Sequence, residues 1–430
     1  MDRDGLAAMP EAGPQLRIDV PTTSRSASLF RALHSPPFRL YFAGQVVSAS
    51  GSFLQQTAIG WLVFNLTGSA SDLGLVLAAG GIPSLVFGPW GGVVADRVDL
   101  RKLLIVTQAL FGALAALLWA LAAAGEASVS VLVAIGVAGG VVQIADSPAR
   151  QAFVSQLVPP DDLASAVSLN GVVVNSARVV GPALAGVLIV TVGTTVCFGI
   201  NALSYLAVIG ALLLIRPLKA SGQAPPGRRG VKEGLRYAAG RQQLWLPLLM
   251  MSVVGLLAFN FAVIMPAFAK DTFHGNGGTY GLLTVMLSIG SVIGSLAVGF
   301  IHHPRRQYLL FAALGFGVML AATAVAPNVA VACGTLLLTG VAAFCFVTLC
   351  STTLQLHSSG AYRGRIMALW VFVYLGTTPV GSILTGWITS AGGPRVALLV
   401  GSGACAAAAV LAAFVRTPAN PDAALTDLAP

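Results

Sequence analysis

Residues Gly92-Val-Val-Ala-Asp96-Arg97-Val-Asp99-Leu100-Arg101-Lys102 place five charged side chains within seven positions. On either side the sequence turns apolar. Residues 70–94 carry only Asp72, and residues 103–124 carry no charge. A helix needs about 20 apolar residues to cross a bilayer, where every backbone N–H and C=O must be bonded within the segment. Two such runs around a short charged loop read as a membrane hairpin.

The same alternation continues along the whole chain. Twelve apolar runs stand at roughly 40–65, 70–94, 102–124, 128–152, 163–190, 193–215, 243–268, 279–301, 307–326, 328–353, 364–388 and 394–415. Transmembrane strands would give segments of about 10 residues with alternating polarity; these runs are too long and too uniform. Composition agrees, at 56% apolar and 9% charged, where soluble domains carry about 25% charge. The fold class expected is an all-α membrane protein of twelve transmembrane helices.

The charges supply a test of the count. With the N-terminus inside and the runs alternating, 21 of the 24 Lys and Arg fall in the termini, the even-numbered loops or the adjoining helix ends. The outer loops receive only Lys270 and Arg395, and Arg178 lies within the fifth run. This asymmetry places both termini in the cytoplasm. It also accounts for the net charge of +9 without a nucleic-acid partner. No apolar core precedes Phe38, so no signal peptide is expected. The five cysteines, Cys197, Cys333, Cys345, Cys350 and Cys405, lie in apolar runs without metal spacing; neither disulfide nor metal is expected, and no cofactor.

The longest internal loop, 216–242, divides the chain. Its first part is a Pro/Gly linker; Val231 to Gln242 suits a short amphipathic helix on the membrane surface. The organisation expected is a flexible N-terminus over 1–35, a six-helix half over 36–215, the linker over 216–242, a second six-helix half over 243–416 and a tail over 417–430. The halves resemble each other at fixed offsets. Gly74-Leu75 matches Gly281-Leu282 and Gly92 matches Gly299, both 207 residues on. Leu169, Gly181 and Gly186 match Leu369, Gly381 and Gly386, 200 residues on. Two parallel halves imply a pseudo-two-fold axis along the membrane normal and a substrate site between them at mid-depth.

Three motifs carry a resemblance. The loop from Gly92 to Lys102 resembles the loop signature of the major facilitator superfamily, with Asp99 and Leu100 replacing the usual glycine and arginine. Asn175-Ser-Ala-Arg178-Val-Val-Gly181-Pro182-Ala-Leu-Ala-Gly186 resembles the antiporter signature of drug exporters, with Ala185 in place of a glycine. Asp146-Ser-Pro148-Ala-Arg150-Gln151 resembles the branch of enterobactin exporters and macrolide efflux proteins, as do Arg363-Gly364-Arg365 and Gly234-Leu-Arg236-Tyr237. The resemblance spans about residues 30–416. It implies the major facilitator fold, a cytoplasmic latch formed by Gly92, Asp96, Arg97, Asp99, Arg101 and Lys102, and a bend with close helix contacts at Gly181, Pro182 and Gly186. The second half has only Gly299-Phe-Ile-His302-His303-Pro304-Arg305-Arg306 at the equivalent loop. It lacks the aspartate, so one latch is expected, with both histidines solvated.

Ionised residues within spans face a cavity or a partner. Arg178 either binds an anionic or polar substrate, answers a proton-carrying carboxylate, or holds its helix to a neighbour's carbonyls. Asp146 is the one carboxylate plausibly embedded. It either couples transport to protons or forms an ion pair with Arg150 or the latch arginines. The first run carries a polar stripe of Gln45, Ser48, Ser52, Gln55 and Gln56. With Asn170, Asn175, Asn201, Tyr205, Asn260 and Tyr374, these either line a substrate cavity or make single interhelical hydrogen bonds. Trp61 and Trp370 either stack on a ligand or pack against lipid. No nucleotide-binding GxxxxGK[ST] loop is present, and no nucleophile–base pair suggests an enzyme. The function expected is alternating-access export of an amphipathic small molecule, a drug or siderophore-like compound, by proton antiport. The protein is expected to act as a monomer in the cell membrane. An importer or uncoupled facilitator is one alternative, and a non-transporting membrane sensor or assembly protein another.

Overall fold

The computed structural model describes residues 30–95, 97–215, 231–301 and 306–414, and every regular element among them is helical. Six long helices come first: α1 (Pro36–Thr67), α2 (Ala70–Ala95), α3 (Leu100–Ala123), α4 (Val129–Gln156), α5 (Leu163–Thr191) and α6 (Thr194–Leu214). A short helix, Val231–Ala239, follows. Helix α7 comes in two pieces, Gln242–Leu257 and Phe261–Ala267. Then come α8 (Gly277–Ala297), α9 (Arg306–Ala324) and α10 (Val329–His357). The last helical stretch, Gly360–Phe414, turns at Gly393, whose φ of 84° is open to glycine without strain. The turn divides it into α11 (360–392) and α12 (394–414).

Ten segments among the described residues are long and apolar enough to cross a bilayer, against twelve runs expected. The difference has two local causes. Residues 362–414 form one segment because helical hydrogen bonding continues past the Gly393 turn. Helix α1 has 32 residues but is absent from the ten, because its polar stripe lowers its hydropathy. The chain is a multi-pass membrane protein.

Packing falls into two groups. Helix α1 packs on α5 and α6, α2 on α4, and α3 on α4 and α6; in the second group α8 packs on α10 and α9 on α10. One buried apolar cluster is drawn wholly from residues 238–412, and two others from residues 32–215. A small fourth cluster joins the groups, with Phe64 and Ala70 against Val263 and Ala267. The extensive contacts between the groups are α2 on α11 and α5 on α8, with smaller ones from α7 to α1 and α2.

Glycine makes both large contacts. A Cβ on Gly74 would overlap the Ser382 carbonyl and reach the Gly386 Cα at 3.3 Å. A Cβ on Gly186 would lie 3.0 Å from the Gly281 Cα. Gly74 and Gly281 are matched by the 207-residue offset, and Gly186 and Gly386 by the 200-residue offset. So each crossing is the other's repeat with the halves exchanged. The same holds one layer in. Gly181 abuts Phe53 of α1, and Gly381 abuts Asn260 of α7, the residue 207 positions after Phe53. The seam also includes Ser71 Oγ donating to Ser390 Oγ (2.9 Å), Lys270 Nζ donating to Asn65 Oδ1 (3.1 Å), and Trp61 stacked on Tyr280. The Gly74–Gly386 and Gly186–Gly281 crossings and these three side-chain contacts lie toward the helix ends away from the Lys/Arg-rich loops, and the α2–α11 contact continues inward to Gly81 on Pro379 and Gly376 on Leu85. On the basic-loop side, α3 and α4 make no extensive contact with the second group among the described residues. The halves are therefore closed together at one end and apart at the other.

Residues 30–35, expected within a flexible N-terminus, are ordered here. Arg31–His34 form a 3-10 turn. The Ala32 N–H donates to Ser165 Oγ (3.1 Å), Ser35 Oγ donates to the Leu157 carbonyl (2.6 Å), and Arg31 pairs with Asp162 at 2.8 Å. The short helix is fixed to the start of α11: the Tyr237 and Tyr362 rings stack at 4.1 Å, and Arg241 lies over Tyr237 at 4.4 Å. Residues 1–29 and 415–430, His302 and His303, and the linker 216–230 lie outside the described residues.

Gly74→Leu should disfavour the closed seam by about 1–3 kcal/mol, the usual cost of overpacking, a population shift of roughly 5- to 150-fold. Spin-label distances between the outer ends of α2 and α11 should lengthen. Gly210→Leu, at a site where a Cβ meets nothing within 4 Å, should leave them unchanged.

Candidate functional site

Asp146 lies on α4 and is fully buried. Its Oδ1 accepts from Thr107 Oγ1 and Gln108 Nε2, each at 2.7 Å. Its Oδ2 accepts from Arg150 Nη2 at 2.7 Å and Nε at 3.2 Å. Positions i and i+4 on one helix bring the two together, and the guanidinium fork fits the carboxylate. Arg150 Nη1 donates in turn to Gln45 Oε1 of α1. The network thus ties α1, α3 and α4 together. Of the readings open for Asp146, the ion pair with Arg150 is the one formed. Thr107 and Gln108 were not anticipated, although they are the only hydroxyl and amide side chains in residues 103–124.

Arg178 is placed differently. Gly181 faces α1 and Gly186 faces α8; at about 100° per residue, Arg178 lies between these two faces of α5. Its guanidinium carbon is 5.9 Å from the Phe53 ring centroid of α1 and 5.0 Å from that of Phe344 on α10. It reaches from one half to the other at mid-helix. Among the described residues no backbone carbonyl accepts from it, and of the alternatives open for Arg178 the tie to a neighbour's carbonyl is not formed among them. Phe344 belongs to a ring cluster centred on Phe259, which contacts Phe261, Phe316, Phe344 and Tyr374 with centroids 5.2–6.4 Å apart. Trp370 stacks on Tyr374 at 6.0 Å. Phe259 sits where α7 is interrupted, between Leu257 and Phe261. Neither Pro nor Gly stands at this break; Asn260, at the N-cap of the second piece, is its one local signal.

The polar stripe of α1 divides. Gln45 serves Arg150. Ser48 is buried, and Ser52 Oγ donates to its carbonyl (2.9 Å) and meets Tyr205 Oη at 3.4 Å. Gln55 Oε1 accepts from Asn201 Nδ2 at 2.7 Å. These bind α1 to α6. Gln56 is exposed; eleven residues from Gln45, it lies on nearly the same face. Tyr205 also stacks on Phe111 and lines an apolar cavity of about 630 Å³ between α3 and α6, together with Gly112, Trp119, Gly199 and Leu203. Asn175 donates to its own helix at Gly171 (3.0 Å), and Asn170 is half-buried. Asn260 is buried, donates to the Leu256 carbonyl and accepts from Ser382 Oγ at 3.5 Å. It serves α7–α11 packing.

Of the expected latch residues, Asp99 and Arg101 are engaged within the first half. Asp99 caps α3, accepting from the Lys102 N–H at 3.0 Å. Arg101 donates from Nε to the Leu212 carbonyl (2.6 Å) and from Nη2 to the Leu213 carbonyl (3.0 Å), binding the C-terminus of α6. Arg97 and Lys102 are exposed. Gly92 falls in the last turn of α2, and Asp96 lies outside the described residues. Pro182 is inside α5, which runs unbroken from Leu163 to Thr191.

Residues 27–429 match the model of a family described as transmembrane secretion effectors, of the major facilitator superfamily. The chain belongs to that family. As a member of the major facilitator superfamily it is a transporter, and not an enzyme. It is 26% identical to the multidrug efflux pump Tap of Mycobacterium tuberculosis over 385 residues, covering 85% of this chain and 89% of that one. It is 24% identical to macrolide efflux protein A of Streptococcus pyogenes, covering 81% and 88%. It is 25% identical to the staphyloferrin A transporter of Staphylococcus aureus over 269 residues, covering 60% of this chain and 66% of that protein. The solved nucleoside transporter NupG superimposes with a TM-score of 0.73 at 12% identity, covering 89% and 100%, a likeness of fold.

Removing one member of a buried pair leaves the other charge uncompensated, at a cost of about 3–5 kcal/mol. Asp146→Ala and Arg150→Ala should each lower the thermal unfolding temperature in detergent. The double variant should lose much less than the sum of the two.

Proposed function

We propose that this transporter exports an amphipathic small molecule, drug- or siderophore-like, out of the cytoplasm by alternating access in exchange for protons. It would act as a monomer in the cell membrane, with both termini and the basic loops cytoplasmic. The observation that carries this reading is the seam. The halves are closed at the end away from the Lys/Arg-rich loops and apart at the end that bears them. With those loops inside, the arrangement is open to the cytoplasm, the side from which an exporter loads. The efflux roles named for the relatives point the same way.

In the outward step the glycine crossings would part and the cytoplasmic ends would close. The loop 92–102 would then meet the second half, as a latch. A proton arriving at Asp146 would cancel its charge and release the Arg150 fork. Loss of that pair loosens α4 from α1 and α3, which links protonation to a change in helix packing. A second reading, an uncoupled facilitator or an importer, is favoured by one feature: both Asp146 oxygens are already held by donors, and an unbroken pair would carry no proton.

The test is movement of radiolabelled lipophilic drugs and catecholate siderophores in proteoliposomes under an imposed pH gradient. Wild-type movement should follow the gradient and fall to the leak rate with a protonophore. Asp146→Asn should still exchange substrate but ignore the gradient. Wild-type movement indifferent to the gradient would contradict antiport and favour the facilitator.

A further inference from the structure

The two arginines of the spans differ in how their charge is met. Arg150 has Asp146. Arg178 has two aromatic rings and, among the described residues, no carboxylate, carbonyl, amide or hydroxyl acceptor. The sequence offers no other carboxylate at its depth. Asp72 lies in the first turn of α2 and Asp271 beyond the end of α7, at Phe268–Thr272, both at outer helix ends. Asp99 and Glu126 lie in loops, and Asp161 and Asp162 in the 3-10 turn Pro160–Asp162 before α5. The space between the halves therefore carries an uncompensated positive charge.

Two rings do not satisfy a guanidinium. Cation–π contact contributes about 0.5–2 kcal/mol, less than the several kcal/mol that withdrawing an ion from water costs. It also leaves all five N–H donors unused. Arg178 is only half-buried, and it stands at mid-helix between the Phe53 ring of one half and the Phe344 ring of the other. Its donors are thus presented to whatever enters between α1, α5 and α10. A planar fork of donors selects an oxyanion that can accept two parallel hydrogen bonds. Beside it stand the rings of Phe344, Phe259 and Tyr374, a surface suited to an apolar or aromatic body.

We propose that Arg178 is the anion-binding residue of the transport site, and that the substrate is an amphipathic anion with a carboxylate or similar oxyanion attached to an aromatic or apolar body. Lipophilic cations are excluded as preferred substrates. This rests on reading the space between the halves as the transport path. It goes further in assigning the ligand's charge and the residue that reads it.

Three probes of one body separate the possibilities: 1-naphthylacetate, 1-naphthylacetamide and 2-(1-naphthyl)ethylamine. Their binding to the purified full-length protein is read by calorimetry in lipid-free maltoside, which removes lipid phosphate as a competing oxyanion. The anion should bind at least about tenfold more tightly than the amide or the amine. Arg178→Gln should remove that preference, and Arg178→Lys should keep part of it. The wild-type ranking decides even if a variant fails to fold. An amine that binds as well as the anion, an anion affinity unmoved by Arg178→Gln in folded protein, or no binding of any probe overturns the assignment. Anion binding through Arg178 without gradient-driven movement in vesicles would leave this site standing and remove the exchange mechanism. Gradient-driven movement of the amide or amine, untouched by Arg178→Gln, would do the reverse.

Discussion

Two crossings of glycine against glycine, Gly74 on Gly386 and Gly186 on Gly281, hold the halves together. Lipid is as apolar as leucine, so helices in a bilayer gain nothing by hiding apolar side chains from it; close packing and hydrogen bonds must supply the attraction. Glycine lets backbones approach to van der Waals contact, and that contact has two discrete arrangements, packed or parted. Because the crossings are related by the internal repeat, they act as a matched pair about one axis. Inward of the crossings the contact narrows to Gly81 on Pro379 and Gly376 on Leu85, and Arg178 meets the Phe344 ring of the Phe259 cluster at mid-helix.

The bilayer imposes a second condition on the charged groups. An ion in a span needs a partner or water, and the two sites meet that demand in opposite ways. Asp146 and Arg150 are satisfied by each other and by Thr107, Gln108 and Gln45, all in the first half. Arg178 is left to the opening between the halves. One site is satisfied within its own half; the other has only aromatic rings against it among the described residues. The two sites are one helix apart, on α4 and α5.

The helical fold was legible because its signals are long. Runs of about 20 apolar residues and a 21-to-2 partition of basic residues survive errors of several residues at any boundary. The glycine offsets were legible for the same reason, and the structure gives them a meaning the sequence could not: matched glycines contact one another across the seam. The sites were less legible because a polar residue in a helix does not say which neighbour it faces. Gln55, Asn201 and Ser52 were open to either a cavity or a packing role, and their hydrogen bonds join α1 to α6. Asp99, a departure from the family loop, proved to be a helix cap. The rings around Arg178 gave no signal, since Phe in a membrane helix is ordinary until the fold brings six aromatic side chains together.

The most direct test is the accessibility of a single cysteine introduced as Arg178→Cys, with the five native cysteines replaced. Charged, membrane-impermeant thiol reagents would be applied to right-side-out and inside-out vesicles. The account predicts modification from the cytoplasmic face in the resting protein and little modification from outside. Modification from the outer face alone, or from neither, would contradict both the closed seam and the placement of Arg178 in the opening.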